Sequence, residues 1–415
     1  MIDYATFSVI AWDWLAFALR WLHVITAIAW IGSSFYFIAL DLGLKSAPDM
    51  PKGAYGEEWQ VHGGGFYHIT KYLVAPERMP DHLVWFKWES YATWLSGFAL
   101  LTVVYWANAD IFLVDTSRVD IAPWRGIIVS AGSLVLGWVI YDTLCKSKLG
   151  HHPTELMLIL FAMLVLLGWA YTHIFTGRAT FLHLGAFTAT IMTANVFFVI
   201  IPNQTIVVKD LKAGRMPDPE YGRIAKLRST HNNYLTLPVI FMMLSNHYPM
   251  AFATPFNWVI AGLVFLMGVS IRHFHNTVNA GKGYPWWTWG VTAFLFVVIV
   301  VLSLTGIAWM PKAAPTTAEA RNPAHTRLAE AAGFEDVHNM VKERCSMCHS
   351  RNPTYKGMGM APKGVYLETE DDLLTNAREV FLQAGATTAM PPANLTFLEP
   401  SDRQAIVHWY VAGKS

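Results

Sequence analysis

The sequence has little charge and few cysteines for its length. Only 14% of its 415 residues are Asp, Glu, Lys or Arg, whereas 54% are hydrophobic and 14% are aromatic. A formal net charge of +1 excludes the strongly basic surface that nucleic acid binding requires. Three cysteines are too few for a disulfide-rich secreted scaffold. This composition is typical of a membrane protein with a smaller soluble part.

The N-terminal apolar run lacks the features of a cleaved signal peptide. It has no positive charge before Arg20 and no small-residue cleavage site, so we expect it to be a retained membrane span. The sequence predicts an all-α fold with a bundle of eight transmembrane helices. The mostly apolar segments are 13–40, 84–107, 123–144, 155–171, 180–201, 234–245, 255–271 and 286–310.

Composition changes abruptly after Met310. Residues 311–332 are rich in Ala, Pro and Thr, as expected for a linker, and residues 333–415 form a polar segment. Helices at the start and end of this segment are indicated by apolar residues at helical spacing, such as Val337 and Val341. The chain therefore divides into a transmembrane domain over 1–310, a linker and a soluble C-terminal domain.

The polar segment contains the string Cys345-Ser346-Met347-Cys348-His349. Two thiols at this spacing can each form a thioether with a haem vinyl group while the following His ligates iron, so the string predicts a cytochrome c domain with covalently bound haem c. A partial zinc site is the alternative, but its second pair of ligands is missing. Met390, before two prolines, is the predicted sixth ligand, and Met358 and Met360 are weaker candidates.

The predicted haem also fixes a topology. Haem of this type is attached on the oxidising, extracytoplasmic side of a bacterial membrane, so the C-terminal domain should be periplasmic. An even number of spans then places the N-terminus in the periplasm too. The loops assigned to the cytoplasm carry fifteen Lys and Arg residues, and those assigned outside carry three. This difference agrees with the positive-inside rule and predicts a multi-pass protein of the bacterial inner membrane.

Two spans contain histidines that would be costly in lipid without a role. His23, with Arg20 one turn away, and His183, with Arg178, occupy matching places in spans one and five. At a shared depth they would suit a haem b, with Arg20 pairing with a propionate; helix-bridging side chains are the alternative. The match also suggests a duplication of two four-helix halves.

Polar side chains gather at the predicted cytoplasmic ends of the spans. A small, planar, anionic substrate requires such amides, guanidinium groups and acid/base groups, although helix ends are often polar for no such reason. The glycines of the loop 62–71 would also allow a ligand to approach the backbone. The set includes Glu89, Tyr91, Tyr141, Asp142, Asn195, Asn203, Gln204, His231, Asn232, Asn233, Arg272, His273 and His275.

The whole chain resembles the bacterial membrane-bound urate oxidases of the cytochrome c type. The resemblance rests on HITKYLVAPERMP (68–80), WFKWE (85–89), HNNYLTLP (231–238) and the haem motif. It implies oxidation of urate to 5-hydroxyisourate, with electrons passed to haem c and on to a downstream cytochrome c or terminal oxidase, without hydrogen peroxide. The run 22–32 also resembles the first helix of membrane protoporphyrinogen oxidases, whose histidine corresponding to His23 binds haem.

Urate must lose two electrons and two protons and gain water at C5. We expect a base among His231, Glu89 and His273 to accept protons. Because haem iron accepts one electron at a time, a urate radical should be a transient intermediate. A urate site at the cytoplasmic end would also require a second redox centre between it and the periplasmic haem.

The anion itself needs hydrogen-bond donors. Arg272, together with Gln204 or Asn232 and with His68, is predicted to hold its carbonyl groups and ring nitrogens. The main rival hypothesis is a quinol-to-cytochrome c conduit or an oxidase subunit, in which the spans only hold and feed the haem domain. That rival predicts reduction of the haem by quinol and no response to urate.

Overall fold

Helices account for 72% of the residues that the structure describes and strands for 5%. The computed structural model describes residues 4–72, 80–115, 118–308, 323–355 and 361–414. Three parts of the sequence discussed above lie outside these described residues. They are residues 73–79 of the HITKYLVAPERMP string, residues 311–322 of the predicted linker, and the candidate ligands Met358 and Met360.

The N-terminal part of the chain is a set of helices joined by turns, with a hairpin after the first helix. Its elements are α1 (Tyr4–Gly43), β1 (Ala54–His62), β2 (Gly65–Tyr72), α2 (Trp88–Leu101), α3 (Pro123–Lys146), α4 (Pro153–Tyr171), α5 (Gly177–Ala194), α6 (Ile201–Lys212), α7 (Pro219–Leu244), α8 (Pro249–Phe252), α9 (Asn257–Asn279) and α10 (Trp287–Ala308). π-Helical turns at Thr102–Trp106 and Ala109–Leu113 follow α2, and Asn195–Ile200 joins α5 to α6.

Six helical stretches in the described residues are long and apolar enough to cross a membrane. They coincide with six of the eight segments predicted from the sequence. The stretches are Ile10–Gly43, Pro123–Lys146, Pro153–Tyr171, Gly177–Lys212, Asn257–Asn279 and Trp287–Leu304. The chain thus has the helices of a membrane protein.

The predicted second and sixth spans are helical but shorter or more polar than these six. α2 has 14 residues before the π-helical turns begin. α7 carries Arg223, Lys226, Arg228 and His231 in its first half, which lowers its mean hydropathy. The bundle of eight spans, and the duplication within it, therefore stay predictions.

The all-α prediction was wrong at residues 54–72, where β1 and β2 form an antiparallel hairpin. Gly63 and Gly64 make the two-residue turn with φ of 60° and 80°, values that favour glycine and a type I′ turn. These glycines therefore have a structural role in the turn, and the approach of a ligand to them stays a prediction. Aromatic and β-branched residues at alternate positions on either side of the turn were the missed strand signal.

The core of this part surrounds α5. Twelve of the 18 residues of α5 are buried, and α5 packs against α3, α4 and α7. α1 lies at the edge, where it packs against α2 and exposes large apolar side chains such as Trp21 and Ile28. An outer surface of this kind suits a helix that faces lipid.

Where helices cross closely, one of them has a glycine. The His23 ring on α1 lies against Gly97 on α2, with Cε1 2.7 Å from the position that a Cβ would take. Pro238 on α7 lies against Gly268 on α9, with Cδ 2.5 Å from the corresponding position. In lipid, helices gain from close contact rather than from the hydrophobic effect, so small residues at the crossings stabilise the bundle.

The described residues from 323 to 414 form a second buried core and are termed the C-terminal unit. Its α-helices are α11 (Pro323–Glu330), α12 (Phe334–Cys345), α13 (Glu370–Thr375), α14 (Ala377–Val380) and α15 (Pro400–Ala412). Phe381, Ile406 and Trp409 lie at its centre and are fully buried. The unit contacts the start of α1, because Ile10 packs against this core and Asp13 pairs with Arg378.

An ion-pair network in the C-terminal unit makes its stability depend on pH. Burial raises the pKa of the Asp372 carboxyl, but hydrogen bonds from Arg351 and Thr369 outweigh this and hold that pKa below its usual value. Stability from this group is therefore fully present above about pH 4 and is lost as the pH falls through the lowered pKa. Because Arg351 is half exposed, we expect this network to contribute at most about 1 kcal/mol to the free energy of unfolding.

Calorimetry of the full chain between pH 5 and pH 2 (about the range set by carboxyl titration) tests this expectation. The unfolding temperature of the C-terminal unit should decrease as the pH is lowered. The decrease should be smaller in the Asp372→Asn variant. The same dependence of the unfolding temperature on pH in the wild type and the variant would contradict this expectation.

Candidate functional site

Arg272, on α9, is a buried cation without a carboxylate partner among the described residues. Its side chain is 5% exposed, and Nε and Nη2 donate to Oδ1 of Asn233 at 3.3 and 3.2 Å. Nη2 also donates to Oδ1 of Asn276 at 3.0 Å, and the guanidinium lies 4.1 Å from the centroid of the Phe35 ring. Buried charges are normally paired because their desolvation is costly, so this site calls for an anion.

A cavity of about 330 Å³ opens beside this guanidinium, between α1, α7 and α9. Its walls are largely apolar, with the cation and a few polar side chains at defined positions. Such a cavity suits a small anion with a flat apolar surface. The lining residues are Phe35, Ala39, Leu237, Ile271, Arg272, His275 and Asn279.

The polar residues that α9 contributes share one face of the helix. Arg272, His275, Asn276 and Asn279 follow the spacing i, i+3, i+4 and i+7, which places side chains together. His273 lies on another face and is exposed. The predicted base His273 is therefore not at the cavity, whereas His275, which was not chosen, lines it. Helical spacing from Arg272 was the signal that separates the two histidines.

Asn233, on α7, holds Arg272 and has unmet hydrogen-bonding capacity of its own. Its Oδ1 also accepts from Nδ2 of Asn276 at 2.9 Å. Its Nδ2 is buried without a partner among the described residues. A carbonyl group of a ligand would satisfy this donor. Asn233 belongs to the predicted polar set, but its neighbour Asn232 is the residue predicted to bind the substrate.

A second buried network lies on the other side of α7, around Arg228. Its Nη2 donates to Oδ1 of Asp142 at 2.6 Å, and its Nη1 donates to Oδ1 of Asn195 at 3.1 Å. Nδ2 of Asn195 donates in turn to the Tyr141 hydroxyl at 3.1 Å. Arg228 thus has the counterion that Arg272 lacks. This network joins α3 and α7 to the π-helical turn that follows α5, and it needs no ligand to neutralise it.

His231, a predicted base, belongs to this second network. Its Nδ1 lies 2.8 Å from the Tyr141 hydroxyl, which already accepts from Asn195. The other ring nitrogen, Nε2, is buried without a partner among the described residues. His231 does not line the cavity.

Asn232 and Gln204, predicted to bind the substrate, have different places. Nδ2 of Asn232 donates to the Met192 carbonyl at 2.9 Å, and its Oδ1 accepts from Asn195 at 2.9 Å. Both ends of this amide therefore hold α7 against α5. Gln204 is exposed on α6. Neither side chain lines the cavity.

Glu89 and His68 also lie away from Arg272. Glu89 is in the first turn of α2, and its Oε2 is buried without a partner in the described part of the chain. His68 is exposed on β2, where its ring stacks on Trp59 at 4.3 Å and its Nε2 lies 2.8 Å from Oε2 of Glu57. The structure thus brings neither residue to the cavity.

The two outer histidines have different neighbours on the helical stretch that begins with α2. His23 contacts Gly97, whereas His183 lies 6.0 Å from the ring of Tyr105. Arg20 is exposed on α1 near His23. The shared depth of the two histidines stays a prediction.

His183 does not fit as an iron ligand. Its Nδ1 donates to the Ala179 carbonyl at 2.7 Å, and its Nε2 lies 2.7 Å from the Ser130 hydroxyl. The side chain is fully buried among Tyr105, Tyr171 and Phe175. Both ring nitrogens are used, so His183 bridges helices as the alternative interpretation holds.

His23 fits the requirements of an iron ligand better. Its Nδ1 donates to the Thr93 carbonyl at 3.0 Å, which fixes the ring and leaves Nε2 as the free nitrogen. Nε2 makes no hydrogen bond to any described residue, and the ring is half-buried at Gly97. The donor set for a haem b in this part of the chain is therefore His23 without His183.

The C-terminal unit contains the groups that a covalent haem requires. Cys345 and Cys348 are free thiols, and Cys345 and Met390 both pack against the same core. Nδ1 of His349 donates to the Val365 carbonyl at 2.9 Å, which leaves Nε2 for a metal ion. Two thiols, an imidazole nitrogen and a thioether fit a haem c.

The same residues fit zinc poorly. A structural zinc site is closed by four ligands, whereas the motif supplies three, namely Cys345, Cys348 and His349. Among the described residues no group of three or more His, Cys, Asp or Glu side chains is placed to hold a metal ion. The partial zinc site is therefore the weaker interpretation of the motif.

Comparison with known proteins gives one family. No curated protein and no solved structure matches the chain. The profile of the urate oxidase N-terminal family matches residues 9–303, which include most of α1, all of α2 to α9, the cavity and both buried arginines. That match covers more than half of the sequence, and we conclude that the chain belongs to the urate oxidase N-terminal family.

Proposed function

We propose that this protein oxidises urate to 5-hydroxyisourate in the bacterial inner membrane and passes the electrons to a haem c in the C-terminal unit. The reaction consumes urate and water and yields 5-hydroxyisourate, two protons and two electrons. Because the electrons go to haem and a downstream cytochrome c or terminal oxidase, no hydrogen peroxide forms. The C-terminal unit is then a periplasmic cytochrome c domain.

One observation carries the substrate assignment: the Arg272 guanidinium is buried beside a cavity and has only neutral amide partners among the described residues. Urate is a planar anion rich in carbonyl and N–H groups. Nη1 of Arg272, which makes no hydrogen bond to a described residue, and the unpaired Nδ2 of Asn233 are donors for it. The apolar walls Leu237 and Ile271 would exclude water from its faces.

His275 is the imidazole placed to accept a proton from urate, because it lines the cavity. We expect His275→Gln to lower kcat for urate by about 100-fold, the usual contribution of a general base. His273→Gln is the matched control, since His273 is two residues away and exposed on another face. Urate-dependent reduction rates of the two variants would check this. Equal rates would remove His275 from the reaction.

Met390 is the proposed sixth ligand of the haem c, and the bound haem would supply a one-electron acceptor. Met390→Ala should alter the haem absorption spectrum and reduction potential while urate binding persists. Met340→Ala is the matched control, because Met340 packs against the same core without a proposed ligand role. Unchanged spectra in Met390→Ala would assign the ligand to another residue, with Met358 and Met360 next to test.

The distance between the two sites supports an intermediate carrier. Phe35 lies at the cavity and Asp13 at the C-terminal unit, and 22 helical residues between them span about 33 Å. His23 lies between these two positions on α1, so it is the residue that would hold a haem b. A pyridine haemochrome spectrum with only c-type haem would refute this part of the proposal.

Anaerobic addition of urate to the oxidised, purified protein is the decisive experiment. Each urate should supply two electrons and reduce two haem equivalents, seen as the reduced haem c band. The rival conduit function predicts reduction by quinol and none by urate. Full haem occupancy with no urate-dependent reduction would overturn the proposal.

A further inference from the structure

The hairpin β1–β2 has one face that no described part of the chain covers. In its register Trp59 pairs with His68 and Val61 pairs with Phe66, so these four side chains share a face. Trp59, Val61 and Phe66 are 63%, 71% and 77% exposed. An isolated two-stranded hairpin is marginally stable in water, and this one exposes its largest apolar side chains. A partner must therefore cover this face.

The hairpin is tied to the last turns of α1 and to the residues just after it, through the outer edge of β1 and through the opposite face. Lys45 and Glu57 pair through their backbones at 3.0 and 2.8 Å. The Tyr36 hydroxyl donates to Oε1 of Gln60 at 2.7 Å. As β1 advances from residue 57 to residue 60, its partners move back along the chain, from Lys45 just after α1 to Tyr36 within α1. The hairpin thus folds back along α1, with its tip pointing toward the middle of that helix.

The position of the tip relative to the membrane follows from the charges on α1. Between Arg20 and Asp41 lie 20 residues without Asp, Glu, Lys or Arg, enough to span the hydrocarbon core of about 30 Å. Tyr36 lies inside this run, and Gln60 is at its level. The Val61–Phe66 pair is one residue closer to the tip. The ionic residues Glu57 and Lys71 lie at the base, beyond the end of the run.

The distribution of side chains matches this depth. Apolar and aromatic residues cluster at the tip, and Lys71 pairs with Asp41 at the base. The outer edges of a two-stranded sheet have unpaired N–H and C=O groups, which the hydrocarbon core does not tolerate, so the hairpin belongs at the interface. We propose that Val61, Phe66 and Trp59 insert into the lipid interface beside α1 and anchor the hairpin to the bilayer.

The proposal can be tested without new cysteines, by placing trifluoromethylphenylalanine at single sites of the full-length protein. The label replaces Phe66, and separately Phe397, which is 76% exposed on the C-terminal unit, as the aqueous control. The protein is reconstituted in nanodiscs of phosphatidylethanolamine and phosphatidylglycerol. Fluorine resonances are then broadened either by a lipid with a nitroxide near its glycerol backbone or by a water-soluble gadolinium chelate.

We expect the nitroxide lipid to broaden the signal at Phe66 several-fold more than the gadolinium chelate does, and the reverse at Phe397. Broadening of Phe66 by the chelate to the extent seen at Phe397 would overturn the proposal and place the face in water. Protection from both reagents would also overturn it, since a second copy of the chain would then cover the face. The test is independent of urate oxidation.

Discussion

Arg272→Gln should abolish most urate oxidation while the protein stays folded. Removing one partner of a buried charged contact costs about 2–5 kcal/mol, and each 1.4 kcal/mol is about tenfold, so kcat/KM for urate should fall by about 30-fold or more. The fold should tolerate the change because Asn233 Oδ1 still accepts from Asn276. The free energy of unfolding should not fall, since an unpaired buried cation is removed.

Two measurements make this prediction specific. Urate-dependent haem reduction gives kcat/KM, and thermal unfolding in nanodiscs gives the stability of the same preparation. Arg272→Lys keeps the charge without the planar fork and should lose less activity than Arg272→Gln. Wild-type kinetics in Arg272→Gln would place the urate site elsewhere and leave the family membership untouched.

Asp142→Asn should give the opposite pattern, a loss of stability. It leaves Arg228, which is 2% exposed, without its carboxylate, and breaking a buried pair from one side costs about 3–5 kcal/mol. The double variant Asp142→Asn/Arg228→Met should recover part of that loss, because no unpaired charge is left. The urate KM of the folded protein should not change, since neither residue lines the cavity.

An exposed pair is the control for this second prediction. Asp210→Asn removes the partner of Arg215, which is 65% exposed, and should cost less than about 1 kcal/mol. Thermal unfolding of the three variants under one condition provides the comparison. A similar, small loss for Asp142→Asn and Asp210→Asn would show that the Arg228 network contributes little to the bundle.

Local patterns predicted much of the helical architecture. Six of the eight predicted spans are found because a run of apolar residues of sufficient length is a local property. The buried residues Val337 and Val341 lie on α12 as the helical spacing indicated. The hairpin was not predicted, because the polar residues and glycines of this segment are typical of a loop and obscure the alternation of apolar and polar residues at Trp59 and Val61.

The composition of the cavity was beyond local patterns. Arg272 was predicted as the anion-binding residue from its type and its place at the end of a span. Phe35 was not predicted to line the site. A run of apolar residues does not indicate which aromatic ring contacts a helix more than 200 residues away in the sequence. His275, and not His273, shares the helical face of Arg272, which the spacing of these residues indicates.

The crossing of α7 and α9 has a consequence for the evolution of this family. Pro238 interrupts the hydrogen bonding within α7 only five residues after Asn233, and its ring occupies the space that Gly268 leaves open. A larger residue at either position would push apart the two helices that carry Asn233 and Arg272. Positions 238 and 268 should therefore vary together among family members, with glycine lost only where the proline has been replaced.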